Sequence, residues 1–182
     1  MTKPATIKTV AEFLQHVVAI DVQEAVDNES DLRAFFHAAG SLHSLRDWIF
    51  EHHKGKAWEY AGAPQAAFNG KEAFQNQLIA LEPAFQYTSD VANASKHWRL
   101  DAGRKHTGML VAANTEVKAI SQRIGGSVLG GFALNTAAFN QAPVCVDRDV
   151  IIVDDNGKDI PLLPQILRVF AFWTQAIQEN AW

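Results

Sequence analysis

Residues Asp31 to His53 carry the longest unbroken helical pattern in this sequence, and that run limits the folds open to the chain. At about 100° per residue Leu32, Phe36, Ala39 and Phe50 fall on one line, with Phe35, Leu42 and Ile49 beside them. A helix of that length spans roughly 35 Å, so its apolar stripe needs other elements laid along it. His43 falls in the middle of the stripe by the same arithmetic. Arg46, Asp47 and His53 fall within roughly 80° of it. Gly40 either weakens the helix by about 1 kcal/mol relative to Ala or admits a close neighbour.

The remaining elements are set by capping and period. Thr6 or Thr9 caps a first helix reaching about Gln23, with Val10, Phe13, Leu14, Val17 and Val18 as its apolar stripe. Glu12, three residues after Thr9, makes a capping box and favours the later start. Asp27-Asn28-Glu29-Ser30 breaks the pattern. Gly55, Gly62, Pro64 and Gly70 mark residues 54–70 as a loop, packed down in places by Trp58 and Tyr60. Lys71 to Leu81 reads as a short helix, and Pro83 separates it from another over Phe85 to Arg99. On that helix Tyr87, Val91, Ala94 and Trp98 turn to the core, with Asp90, Asn93 and His97 along the stripe's shoulder.

Past Leu100 glycine becomes frequent, and Met109–Val111 and Val128–Leu134 read as strands. Val150-Ile151-Ile152-Val153 followed by Asp154-Asp155-Asn156-Gly157 is the strongest hairpin signal, with Lys158 to Leu162 as the return strand. A closing helix runs from Pro164 to about Gln178, burying Ile166, Val169, Phe170 and Trp173. The expected fold class is α+β: a bundle of four to five helices, a small antiparallel sheet in the C-terminal half, and a closing helix. Residues 1–182 are read as one domain, with a helical part at 1–102, the sheet at 103–163 and the last helix at 164–182.

Composition narrows the function classes. A net charge of −4 over 182 residues means that any contact with nucleic acid needs a local basic patch. One such patch is Lys96-His97-Trp98-Arg99 with Arg104-Lys105-His106. It suits phosphates, with Trp98 to stack on a base; equally, it offsets a helix dipole. No apolar run approaches the length of a membrane span, and the first residues lack a secretory apolar core. The lone Cys145 excludes an internal disulfide and fits a reducing, cytoplasmic setting. Trp48, Trp58 and Trp182 are either core or an exposed apolar face for self-association. The glycine pairs at 125–126 and 130–131 lack the lysine of a P-loop, and no Gly-x-Ser-x-Gly elbow occurs. No cofactor is expected.

Two polar seams carry the candidate chemistry: His43, Arg46 and Asp47 on one helix, Asp90, Asn93 and His97 on another. Packed side by side, they would share a cleft in which carboxylates and imidazoles have tunable proton affinity. The bland alternative is a structural hydrogen-bond network. His43, Asp47, Asp90 and His97 also form an alternative metal-ligand set, since His43 and Asp47 are four apart. His16 and His37 read as surface or satisfied histidines.

Asn93-Ala94-Ser95-Lys96-His97 resembles the end of the motif of the HEPN superfamily of helical RNA-cleaving domains, in which Arg and a polar residue precede His by four to six positions. Ala92 stands where that family has Arg, whereas Arg46-Asp47 followed by His52 or His53 keeps it, and His53 shares the face of Arg46. The resemblance implies a helical bundle, dimerisation and metal-independent RNA cleavage. His97 and His53 would then handle protons, with Arg46 and Lys96 on phosphate and Asp90 and Asn93 giving orientation. The leading expectation is thus a domain that binds or cuts RNA through the shared cleft. The alternatives are a metal- or small-ligand-binding protein using the same cleft, and an interaction module without chemistry.

Overall fold

In a computed structural model of the protein, the described residues are 6–94, 115–119, 148–153 and 158–182. The first helix begins where the capping box places it. Thr9 accepts from the Glu12 N–H at 3.1 Å, and the Glu12 carboxylate accepts from the Thr9 N–H at 3.1 Å. α1 (Val10–Phe13) passes through a π-helical turn (Leu14–Val18) into α2 (Ala19–Asp27), four residues beyond the expected end. The extra residue in a π turn rotates the helix beyond it by about one position, so Val22 and Ala25 continue the buried side begun by Val18.

α3 (Leu32–His53), capped by the Asp31 carboxylate, matches the expected helix, but its buried side is centred on Phe35, Ala38, Leu42, Leu45 and Ile49. Leu32 and Phe36 pack at the edge of the core instead. His43 therefore moves from the middle of the stripe to its half-buried shoulder. Gly40 admits no close neighbour among the described residues: a methyl group there would meet none of them within 4 Å.

The expected loop at 54–70 contains a hairpin. β1 (Trp58–Tyr60) pairs antiparallel with β2 (Ala63–Gln65), and Ala61 and Gly62 at φ 53° and 72° make the two-residue turn. Tyr60 faces Ala63 across the closing pair, and Glu59 faces Pro64. With no N–H to donate, Pro64 is tolerated at that non-bonded position. The outward N–H and C=O of Glu59 are taken by the Asn180 side chain, at 2.8 Å each.

α4 (Lys71–Leu81) matches the expected range, and α5 (Ala84–Ala94) follows Pro83. α5 packs against α3, α4 and the closing helix α6 (Leu162–Asn180). Covered from three sides, it buries Thr88, Ser89 and Asp90 along with Phe85, Val91 and Ala92, while Tyr87 lies only partly within the core. α6 starts two residues before the expected Pro164. It turns Phe172 inward with Ile166, Val169 and Trp173, leaving Phe170 partly buried.

β4 (Arg148–Val153) pairs antiparallel with β5 (Asp159–Pro161), as the hairpin signal predicts, and on its other side with β3 (Thr115–Ala119). Val150, Ile152 and Ile160 join the sheet to the core that α6 closes. The fold is α+β with helices dominant. The expected strands at 109–111 and 128–134, and the basic cluster at 96–106, lie outside the described residues.

An aromatic cluster fills the junction of hairpin and helices. Trp58 meets Phe68, Phe74 and Phe172 edge-on, and Phe172 and Trp173 flank Phe85. Trp58 is buried and supplies no exposed apolar face, whereas Trp48 is half-buried and stacks on Phe13 at 4.8 Å. Among the described residues no helix is long and apolar enough to cross a membrane.

Candidate functional site

Helical spacing places His43, Arg46 and Asp47 on one shoulder of α3, and packing brings α4 and α5 beneath it. The Arg46 side chain is 13% exposed and that of Asp47 39%. The guanidinium donates to Asp47 Oδ1 from Nη2 at 2.8 Å and from Nε at 3.2 Å. It donates from Nη1 to Gln75 Oε1 on α4. Its Nη2 also lies 2.9 Å from His43 Nε2. Arginine can only donate, so His43 Nε2 must hold a lone pair toward it, leaving the ring's proton on Nδ1. Gln75 passes the chain on, donating from Nε2 to Ser89 Oγ on α5 at 3.1 Å.

Burial pushes the Asp47 carboxyl up, but the hydrogen bonds and charge of Arg46 prevail, and the group sits below the ordinary carboxylate range. Asp47 therefore stays charged well into acid, and Arg46 stays fixed in plane and direction. Such a planar, oriented fork is the geometry that recognises carboxylate or phosphate.

The other predicted residues divide. Asp90 adjoins Ser89 but is fully buried rather than at a shoulder, because α5 is covered from three sides. Asn93 is half-buried near the end of α5. Lys96 and His97 lie outside the described residues. His53 is placed elsewhere: its ring stacks on Trp182 at 4.9 Å, about 10 Å along α3 from Arg46. Burial first, then the charges of Lys56 and His52, holds the His53 imidazole below its ordinary value. His52 leans on Trp48 at 5.9 Å.

Within the alternative metal set, the Arg46 guanidinium sits on both His43 and Asp47, where a cation would meet its repulsion. Among the described residues, the donors close enough together to share one ion are Asp21, Glu24 and His37 instead.

Gln75 and Ser89 escaped the sequence reading. Both are uncharged residues on apolar faces, and both are buried. The available signal was an amide one position from Phe74 and three from Leu78, inside the stripe of α4. Compared with known protein families, with curated proteins and with solved structures, the chain matches none of them.

Proposed function

We propose that the protein binds RNA along the α3 shoulder, with Arg46 as the phosphate contact and His43 beside it. The observation that carries this reading is a guanidinium held in a fixed direction by His43, Asp47 and Gln75. Asp47, the more exposed partner, acts as a placeholder: an incoming phosphate takes over its two hydrogen bonds, and the released carboxylate is rehydrated. Lys71 adds positive charge close enough to act on Asp47. Cleavage is the stronger form of the proposal. It requires His97, or a rearrangement bringing His53 off Trp182.

The test is fluorescence anisotropy with mixed single-stranded RNA in EDTA at low salt, with gel analysis of the same RNA for cutting. Affinity should fall as salt rises. Arg46→Gln should weaken binding by about tenfold or more, the equivalent of the ~1.5–3 kcal/mol of a charge-assisted hydrogen bond. Asp47→Asn, which keeps the shape and removes the competing charge, should strengthen it. No binding by the parent protein, with no retention on heparin, removes the proposal.

A second reading rests on the same bonds. The chain from Arg46 through Gln75 to Ser89 ties α3, α4 and α5 together, as a brace in an interaction module would. It is preferred if Arg46→Gln lowers the melting temperature and leaves RNA affinity unchanged.

A further inference from the structure

We propose that Asp21, Glu24 and His37 form a binding site for a divalent first-row transition cation, typified by zinc, clasping α2 to α3. Asp21 and Glu24 are three apart on α2 and so share a face. The short connection over 28–31 folds α3 back against α2 and presents His37 to them. One ligand atom from each residue lies within 4.8 Å of the others. Bonds of about 2.0–2.2 Å to a tetrahedral zinc put donors roughly 3.4 Å apart, so small side-chain rotations close the set.

Charge supports the assignment. The two carboxylates repel each other, and among the described residues the opposing cation beside them is Arg33, 3.4 Å from Glu24 Oε1. The Arg33 side chain is 69% exposed and also reaches Asp31 at 4.0 Å, so its screening is weak. A divalent ion would satisfy both carboxylates at once. The imidazole selects against magnesium and calcium, whose preferred ligands are oxygens, and in favour of zinc and its neighbours. Three protein ligands leave a further position to water, the arrangement of an open site rather than a closed one. The α2–α3 site shares no residue with the Arg46 seam, and neither depends on the other.

The experiment uses untagged full-length protein stripped with EDTA and dialysed, titrated with zinc chloride by calorimetry and followed by thermal melting. One equivalent of zinc should bind, and the melting temperature should climb with zinc concentration but not with the same concentration of magnesium. His37→Ala, Asp21→Asn and Glu24→Gln should each weaken binding by at least about tenfold. His37 is exposed, so His37→Ala should melt like the parent in EDTA, which keeps the test valid should an α2 variant fold poorly. The proposal is overturned if the stripped protein takes up no zinc saturably. It is equally overturned if His37→Ala binds zinc as tightly as the parent, since the ion then sits on other histidines.

Discussion

Arg46 satisfies three neighbours with one side chain, so its replacement strands more than it removes. In Arg46→Gln, Gln75 Oε1 and His43 Nε2 lose their donor, and Asp47 loses its hydrogen-bonded counter-charge and keeps the weaker influence of Lys71. The expected loss is about 1–3 kcal/mol at neutral pH, read from urea unfolding. A pH signature separates this from simple loss of packing. The folded-state pKa of Asp47 is depressed, so the pair's stabilisation is present above the unfolded value near 3.9 and lost as pH falls through the lowered one. The parent should therefore lose stability over that acid range, and Arg46→Gln should lose less. Identical acid slopes would contradict the assignment. At this scale the sequence was informative where charge and period coincided: His43, Arg46 and Asp47 were visible as a group. Gln75 and Ser89 were not, because an uncharged polar residue on a buried face has no periodic signature of its own. The depth of Asp90 was also hidden, since it depends on how many helices cover α5 and not on the spacing within it.

Among the elements, those with long periods were legible. α3 begins at its Asp31 cap, α4 keeps the range its stripe requires, and the β4–β5 pairing is written in an apolar run and its return. The β1–β2 hairpin was hidden by its turn. Ala61-Gly62 puts alanine in the left-handed region at φ 53°, where Asn or Gly would have announced a type I′ turn. That strain yields a prediction. Ala61→Asn should stabilise the protein by about 0.5–1 kcal/mol, since Asn tolerates the conformation and the residue is exposed. Ala61→Val should destabilise it by a similar amount or more, because a β-branched residue resists positive φ. Thermal melting of the two variants checks the order, and a stabilising valine would mean that the turn is not as described.

For the whole molecule, the aromatic cluster is the feature that most elements share, and its outer edge carries a titratable ring. Trp182, carried past the end of α6, lies against both His53 and Trp58. His53 has a depressed folded-state pKa, with burial as the first cause. The neutral ring is thus favoured, and its contribution is present above the ordinary value near 6.5 and lost as pH falls through the lowered one. The melting temperature should decline across that mildly acidic window. His53→Phe, which keeps a ring against Trp182 but cannot take up a proton, should flatten the decline. An unchanged slope would shift the acid sensitivity to another group. The α+β class was legible at this scale from the switch of pattern near Leu100. The way α6 seals the core was not, because it depends on contacts between segments more than a hundred residues apart.

The grip of Asn180 on the outer edge of β1 bears on the order in which this chain is made. Glu59 leaves the ribosome 121 residues before the amide that will cover its backbone. A two-stranded ribbon is marginal by itself. During synthesis the hairpin and Trp58 therefore wait, unsealed, for the last helix to emerge, and a nascent chain stalled before that point offers an open strand edge to chaperones or to its neighbours on the same message.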